Sequence, residues 1–175
     1  KDDVPVKDEA NSTATKTCYL NGGRMRSEGG EIDVLGQITK AWQVFGSYAY
    51  TDTRVLKSSS LPIGASLVNV PVNSGSLWLK YTLQDGPLNG LGGGVGAFVA
   101  DRCEGDNNNT FELPAYTRWD SGVWYTRLLR GGSQLKLQCN VLNVFDKTYY
   151  ESSSGVLSVE PGTPRYVVTR VSLTF

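Results

Sequence analysis

The chain has 175 residues, of which 39% are hydrophobic and 19% charged, which is enough apolar material for one folded domain or part of one. Lys+Arg and Asp+Glu balance at 17 each, so no overall charge attracts nucleic acid, and we expect no nucleic-acid partner. Because the chain has no histidine, a His-based catalytic triad and a two-His metal site are excluded, and we predict neither catalytic residues nor a metal site.

Alternation of apolar and polar residues is the dominant periodicity, with Gly, Asn, Pro and Ser clustered between the alternating runs. No stretch approaches the roughly 18 consecutive apolar residues of a membrane helix. A strand of a membrane barrel needs only about ten residues with every second one apolar. The pattern therefore predicts an all-β fold, and the mean hydropathy of -0.26 fits a membrane barrel as well as a soluble protein.

The alternating runs predict seven strands. In chain order they lie at 31–38, 42–50, 77–82, 91–99, 118–125, 135–141 and 165–175. Each has one face rich in aromatic and branched side chains, such as Trp42, Val44 and Tyr48 in the second run. Because no helical pattern of useful length intervenes, we expect consecutive strands to be antiparallel neighbours in a meander.

The predicted connections alternate in length. Those at 39–41, 84–90 and 128–132 are short, whereas those at 54–73, 102–114 and 146–164 are long. All long connections thus fall at one edge of the sheet, as the extracellular loops of an outer-membrane barrel do, while its periplasmic turns are short. On this interpretation the last strand descends to the periplasm and ends there at Phe175. The odd number of strands predicts further strands upstream, with residues 1–16 as the end of another external loop.

Several short motifs occur in a fixed order. They are Arg26-Ser-Glu-Gly-Gly-Glu-Ile-Asp, Ser47-Tyr-Ala-Tyr-Thr-Asp, Val70-Pro, Ser76-Leu-Trp-Leu-Lys-Tyr, Gly86-Pro-Leu-Asn-Gly-Leu, Leu113-Pro-Ala-Tyr, Asn143-Val-Phe-Asp-Lys-Thr-Tyr-Tyr and Gly162-Thr-Pro-Arg. Together with the terminal Phe175 they resemble the late barrel strands of TonB-dependent siderophore receptors, the ferrichrome-type branch in particular. The resemblance covers residues 19–175, and the shared order of the motifs makes it specific.

The resemblance implies that residues 1–175 form the C-terminal portion of a barrel of about 22 strands, with the plug domain and earlier strands not present. It implies import of a ferric siderophore, energised by TonB through a region upstream. Iron is then carried as substrate, no cofactor is implied, and the protein is not an enzyme. The barrel-assembly machinery and outer-membrane lipids are the further partners implied.

Four residues are candidates for contact with the ligand. Tyr149, Tyr150 and Tyr166 flank the last long loop, and aromatic walls suit bulky, partly apolar iron chelates. The alternative is that these tyrosines belong to the aromatic girdles at the membrane interface. Arg118 is expected to face the lumen, where it either attracts an anionic siderophore or forms an ion pair.

The last strand carries Val167, Val171, Leu173 and Phe175 on one face. This pattern resembles the C-terminal signal read by the barrel-assembly machinery, which adds a strand to an exposed edge. It also suits a lipid-facing strand, and both interpretations can hold together.

Two glycine- or asparagine-containing segments have structural interpretations. The segment Asn143-Val-Phe-Asp-Lys is expected to anchor a turn by Asx-type hydrogen bonds rather than to bind ligand. The run Gly92-Gly-Gly-Val-Gly-Ala formally matches a dinucleotide fingerprint, but no helix follows it. We expect Gly92, Gly94 and Gly96 instead to leave room in the lumen for the plug.

The cysteines and loop acids suggest a few further features. Cys18 and Cys103 both map near the oxidising external side and could form a disulfide, whereas Cys139 maps to the lipid face and should stay free. The acidic residues Asp101, Glu104 and Asp106 are interpreted as a solvated loop tip in preference to a Ca²⁺ site.

Two other functions share part of this pattern. A passive porin-like channel has the same barrel features but no plug. A soluble β-sandwich binding module would pack the alternating aromatic residues into a core that excludes water.

Overall fold

The computed structural model describes residues 2–8 and 10–175, and within them the regular structure is entirely β. The strands are β1 (Asp2–Lys7), β2 (Tyr19–Gln37), β3 (Trp42–Lys57), β4 (Asn73–Thr82), β5 (Leu91–Ala100), β6 (Cys103–Glu104), β7 (Glu112–Leu113), β8 (Tyr116–Leu128), β9 (Gln134–Leu142), β10 (Tyr150–Ser153), β11 (Val159–Pro161) and β12 (Tyr166–Thr174). In the described ranges no helix is long and apolar enough to cross a membrane.

One antiparallel sheet contains eight of these strands in the order β1-β2-β3-β4-β5-β8-β9-β12. The pairs β6–β7 and β10–β11 are small separate hairpins inside long loops. All seven strands expected from the alternation are present as a meander, so the predicted fold class is confirmed. The sheet does not close on itself, because β1 and β12 form its two free edges.

The strands at the start of the chain extend further than the alternation indicates. Strand β2 begins at Tyr19 rather than at Glu31, and β3 continues to Lys57. Strand β1 pairs with the first part of β2, so the interpretation of residues 1–16 as loop alone was wrong for 2–7. In the extension of β2, Arg26 and Glu28 occupy the face that carries Ile32 further along the strand, so a period of two in hydrophobicity does not mark it.

The register separates the sheet into two chemically different faces. On one face Val44 lies opposite Leu79, which in turn lies opposite Val95, and we call this the apolar face. On the other, Phe45 lies opposite Trp78, and we call it the groove face because a concave groove runs along it. The predicted division of each strand into faces is thus reproduced across the sheet.

Large side chains of the apolar face are exposed. Val171 on β12 is 72% exposed and Leu77 on β4 is 58% exposed, whereas the most buried apolar side chain, Val55, lies near the end of β3 at the long-loop edge. A sheet without a second layer leaves this face without an apolar neighbour, and such continuous apolar surface needs lipid or protein to cover it.

The apolar face ends sharply toward the long-loop edge. On β2 and β3 the row that pairs Ile32 with Tyr48 is followed, two rows further, by a row that pairs Glu28 with Asp52. Beyond it Arg26 binds Asp52 at 3.3 Å, and Arg54 binds the same carboxylate at 3.1 Å. The surface therefore changes from aromatic and branched side chains to an ion-pair network over a few residues.

Aromatic rings mark the other end of the apolar face. Trp42 and Tyr81 pair across β3 and β4 at the short-turn edge, with their ring centroids 4.8 Å apart. Tyr125 lies at the same edge on β8, and Trp119 lies on the same strand and face nearer the long loops. These positions are those expected of two aromatic girdles.

The glycines of β5 make room for indole rings. A Cβ atom on Gly92 would lie 2.4 Å from the ring of Trp124, and one on Gly96 would lie 2.3 Å from the ring of Trp78. The expectation that these glycines leave room for a plug therefore needs correction. Tryptophans of the adjacent strands fill the space beside Gly92 and Gly96, and a Cβ atom on Gly94 would lie 3.0 Å from the Leu79 carbonyl oxygen and 3.1 Å from Cγ of Lys80. Glycine is thus required by packing within the sheet.

Candidate functional site

Three long loops meet at one edge of the sheet, and we call 58–72, 101–115 and 143–165 the first, second and third loops. The first loop folds back onto β3, where the Val55 N–H donates to the Ala65 carbonyl at 2.9 Å. The Leu67 N–H donates to the Thr53 hydroxyl at 3.0 Å. The long-loop edge is consequently a packed region in which Val55 and Thr53 are almost fully buried.

The third loop begins with a turn built around Asn143, which is 1% exposed and has a φ of 53°. Its Oδ1 accepts the Lys147 N–H at 2.9 Å, and its Nδ2 donates to the carbonyls of Lys147 and Thr163 at 2.9 and 3.1 Å. Asp146 in turn accepts the Arg165 N–H at 2.8 Å. The prediction that this segment anchors a turn is confirmed.

A chain of hydrogen bonds connects this turn to β8. The Asn143 N–H donates to the Asp120 carboxylate at 2.8 Å, and two nitrogens of Arg118 donate to the same carboxylate at 3.1 and 3.2 Å. Arg118 also donates to the Tyr149 hydroxyl at 3.2 Å, and that hydroxyl donates to Glu151 at 3.1 Å. Bidentate pairing and burial of Asp120 make this a strong, directional contact. The charge of Arg118 is therefore largely compensated by its neighbour on the same strand.

Tyr149 lies inside the loop region. It is 2% exposed, its ring centroid is 4.5 Å from that of Tyr116, and a Cβ atom on Gly162 would lie 2.1 Å from its ring. The ring centroid of Tyr116 also lies 5.9 Å from that of Phe98, so three aromatic rings pack in tilted contact at the outer end of the groove face. In this conformation Tyr149 supports the third loop, and its role in ligand contact stays a prediction.

Two of the candidate tyrosines are accessible. Tyr150 begins β10 and is 38% exposed, and Tyr166 begins β12 and is 41% exposed. Tyr166 pairs with Leu142, which places it on the groove face. Because they can be reached from solvent, these residues, rather than Tyr149, are positioned to meet a ligand, though this too stays a prediction.

The groove of the groove face has a volume of about 740 Å³ and combines aromatic and cationic side chains. Its walls include Phe45, Trp78 and Trp124, with Lys80 and Lys136 as its cations. The Lys80 ammonium lies 4.7 Å from the ring centroid of Phe45 and 5.6 Å from that of Trp124. No acidic residue is among the described side chains that line it, so the groove presents positive charge over aromatic surface.

The acidic residues of the second loop have separate roles. Asp106 accepts hydrogen bonds from the Thr110 hydroxyl and from the Thr110 N–H, and these bonds lower its pKa. Glu104 faces Glu112 across the β6–β7 hairpin, and burial first, then the charges of Glu112 and Asp106, raise the pKa of Glu104. Asp101 accepts a hydrogen bond from Asn73 at 2.6 Å. No group of three His, Cys, Asp or Glu side chains in the described residues could hold a metal ion.

The three cysteines are free thiols. Cys18 lies before β2 and Cys103 in the second loop, and β3 and β4 separate them in the sheet. The expected bridge between Cys18 and Cys103 is therefore not formed in this structure. Burial, then the charges of Glu104 and Glu112, raise the pKa of the Cys103 thiol and make it a weak nucleophile. Cys139 lies on the apolar face of β9, opposite Thr169, as its position in the alternation indicates.

The residues of the expected assembly signal lie together. Val167, Val171, Leu173 and Phe175 are exposed, and the three within β12 share its apolar face. Strand β12 is a free edge of the sheet, so its outer backbone groups are available to another strand. A role in assembly stays a prediction.

Sequence reasoning missed several residues of the loop region. Asp120 and Glu151 were not singled out as partners of Arg118 and Tyr149, although Asp120 shares a face with Arg118 at a spacing of two. Asn69 and Asn109, which connect different loops, give no sequence signal beyond the tolerance of asparagine for a positive φ.

Comparison with known proteins identifies relatives of this sheet. Residues 1–144 match the sequence profile described as TonB dependent receptor-like, beta-barrel. The metal-pseudopaline receptor CntO of Pseudomonas aeruginosa is 36% identical over 87% of this chain and 21% of its own length. The ferrioxamine B receptor of Salmonella typhimurium is 33% identical over 90% of this chain and 22% of its own length. The chain thus spans about a fifth of these relatives.

Solved structures share the fold. The siderophore receptor PiuA from Acinetobacter baumannii superposes with a TM-score of 0.74 and 28% identity, covering 89% of this chain and 22% of PiuA. The ferric-catecholate import receptor Fiu from E. coli superposes with a TM-score of 0.73 and 25% identity, covering 99% of this chain and 24% of Fiu.

Proposed function

Because the chain belongs to the TonB-dependent receptor-like β-barrel family, we propose that the complete protein imports a ferric siderophore across the outer membrane with energy supplied through TonB. Members of this family are outer-membrane β-barrel receptors and transporters, not enzymes. The observation that carries the proposal is the family match together with relatives named for metal-chelate receptors.

The geometry supports a transport role. The apolar face is exposed along the sheet and ends at aromatic rings, as a lipid-facing barrel wall requires. The groove face carries Phe45, Trp124 and Lys80, which suit a polar lumen through which a partly aromatic chelate passes. We assign the long loops to the cell exterior and the end of β12 to the periplasm, with outer-membrane lipids against the apolar face.

The rim for ligand capture is the long-loop edge. Tyr150 and Tyr166 are its accessible aromatic residues, and Arg118 is its cation, held by Asp120. Iron enters as part of the substrate and leaves with it. TonB acts through parts of the protein outside residues 1–175, and the barrel-assembly machinery is the partner that inserts the protein.

The test measures the uptake of radiolabelled ferric siderophores by a strain in which the chromosomal gene is deleted and the gene is supplied on a plasmid. We expect uptake of one chelate class, abolished when TonB is removed, and growth on that siderophore alone under iron starvation. Equal growth on every purified siderophore would reject the siderophore assignment. Uptake that persists without TonB would favour a passive porin-like channel instead.

A further inference from the structure

The second loop binds the first through the side chain of Asn109. Its Oδ1 accepts the Ser66 N–H at 2.8 Å, and its Nδ2 donates to the Ser66 carbonyl at 3.0 Å. One carboxamide thus satisfies both backbone groups of one residue, as a neighbouring strand would in an antiparallel sheet. The two residues are 43 positions apart in the chain, so the contact joins separate loops.

Asn69 repeats the same arrangement between the first and third loops. Its Oδ1 accepts the Ser153 N–H at 2.8 Å, and its Nδ2 donates to the Ser153 carbonyl at 2.8 Å. Ser153 is 3% exposed and lies 84 positions away. The backbone N–H of Asn69 also donates to the Glu104 carbonyl at 2.9 Å. Asn69, itself in the first loop, therefore contacts both other loops.

The backbone conformation restricts which residues can make these contacts. Asn69 has a φ of 61° and Asn109 a φ of 55°, in the left-handed region that asparagine enters more readily than most residues. A side chain one carbon longer would not reach the same backbone from the same position. Asparagine is consequently suited both to the turn and to the bridge at each position.

The first loop is the central piece of this arrangement. It is fixed to β3 by the bond between Val55 and Ala65, and it holds the second loop at Ser66 and the third at Asn69. The second and third loops are internally braced by the β6–β7 and β10–β11 hairpins. Along the chain, each loop is joined only to strands of the sheet. These hydrogen bonds join the loops to one another as well.

We infer that Asn69 and Asn109 are positioning residues that lock the three long loops into one preformed unit. The loops then keep their relative positions before any ligand arrives, and Tyr150 on the β10–β11 hairpin is held at a fixed distance from the first loop. The alternative is three loops that move separately and gather around a ligand. The structural part of this inference does not depend on the proposed transport function.

Distance measurements between spin labels on the ligand-free, full-length protein test whether the three loops keep fixed relative positions. With native cysteines replaced by serine, labels are placed at Ile63 in the first loop, Asn107 in the second and Leu157 in the third. Ile63 and Leu157 are 64% and 102% exposed, so labels there disturb little. We expect narrow distance distributions for the Ile63–Leu157 and Ile63–Asn107 pairs.

Substitution by glycine removes each bridge while permitting the positive φ. Asn69→Gly should broaden the Ile63–Leu157 distribution and leave Ile63–Asn107 narrow, whereas Asn109→Gly should do the reverse. Loss of the two hydrogen bonds between loops should raise the separated population about tenfold in each case. Asn69→Asp, which keeps the acceptor oxygen but loses the donor, should be intermediate. Asn89→Gly, in a short turn at the opposite edge, is the matched control.

Three results would overturn the inference. They are broad distributions in the unmodified protein, unchanged distributions in both variants, and equal broadening of both pairs by either variant. A second expectation rests on the proposed function. In a transport assay, Asn69→Gly should raise KM for uptake with little change in the maximal rate. A protein that transports nothing would leave the distance measurements interpretable.

Discussion

The indole ring of Trp124 covers Gly92 so closely that a Cβ atom on this glycine would lie 2.4 Å from Nε1 of the ring. The same indole N–H donates to the Thr82 hydroxyl at 3.2 Å, so the ring has a polar contact to lose if it moves. Glycine at this position is thus part of the packing of the groove face.

Gly92→Ala should therefore destabilise the folded protein by about 1–3 kcal/mol, because the added methyl displaces the ring. Urea unfolding of the full-length protein in detergent, followed by tryptophan fluorescence, measures the change. Gly93→Ala is the matched control, since a Cβ there meets only ordinary contacts at 3.5 Å and beyond on the other face. Equal effects of the two substitutions would contradict the packing explanation.

Asn143→Ala should cost about 2–4 kcal/mol, because it removes several hydrogen bonds from a buried turn and places alanine in a left-handed conformation. Asn143→Gly should be milder by about 1 kcal/mol, since glycine adopts the positive φ without strain. The same unfolding measurement compares them, with Asn107→Ala in an exposed loop as control. A glycine variant as unstable as the alanine variant would argue against backbone strain.

The β6–β7 hairpin should be most stable at intermediate pH. Because the pKa of Glu104 is raised in the folded protein, ionisation of Glu104 opposes folding. The contribution of protonated Glu104 to the stability of the hairpin is therefore present at acid pH and is lost as pH rises through the folded-state pKa. The lowered pKa of Asp106 acts oppositely, and its stabilisation is lost as pH falls through that lowered pKa. Hydrogen exchange of residues 103–113, corrected for the intrinsic rate, should show both losses.

Glu104→Gln should abolish the loss of hairpin stability above the pH of maximum stability and leave the loss below that pH intact. Asp85→Asn, in a short turn at the opposite edge, should leave the pH profile as it is. A profile unaltered by Glu104→Gln would show that the carboxyl at this position does not control the hairpin.

Phe175→Ala should lower the amount of folded receptor in the outer membrane several-fold, if the alternate residues of β12 are recognised as an edge strand during assembly. Immunoblotting of outer-membrane fractions, with heat-modifiable migration to distinguish folded protein, gives the measurement. Thr174→Ala changes the adjacent position in the alternation and should have little effect. Normal assembly of the Phe175 variant would leave the signal interpretation without support.

A cysteine at Leu157 should react with a membrane-impermeant maleimide in intact cells, because this residue lies at the tip of the β10–β11 hairpin, fully exposed. A cysteine at Arg130, in the short turn between β8 and β9, should react only after the cells are opened. The background is a protein with its native cysteines replaced by serine. The reverse pattern of labelling would invert the proposed orientation.

The alternation in the sequence was sufficient to predict the sheet because each strand has one mostly apolar face, and these faces lie at the same level in neighbouring strands. It placed Val44, Leu79 and Val95 on one face, and the register puts them in one row. It could not predict the start of β2, where Arg26 and Glu28 share a face that is apolar only further along the strand. Hydrophobic periodicity marks only the part of a strand that contacts an apolar medium, whereas the backbone hydrogen bonds of the strand continue beyond that part.

The loop region was harder to predict because its contacts join residues distant in sequence. The turn at Asn143 was predictable because the bonds that close it join Asn143 to Lys147, four residues along the chain. Its further bonds to Asp120 and Thr163 give no such local signal. The partners of Asn69 and Asn109 were not, because nothing in an isolated asparagine indicates which backbone it will meet. The alternation put Arg118 on the face opposite Trp119 and Val123, where the structure has it, but its pairing with Asp120 depends on the geometry of one strand.

The abrupt change on β2 and β3 from Ile32 and Tyr48 to Glu28 and Asp52 acts as a depth marker. Each residue along a strand advances about 3.4 Å, so sinking the barrel by a few residues would carry the network of Arg26, Asp52 and Arg54 toward hydrocarbon. Rising by the same amount would expose the aromatic row to water. With the apolar face against lipid, as we propose, the wall of the barrel sets the height at which the loops stand above the bilayer.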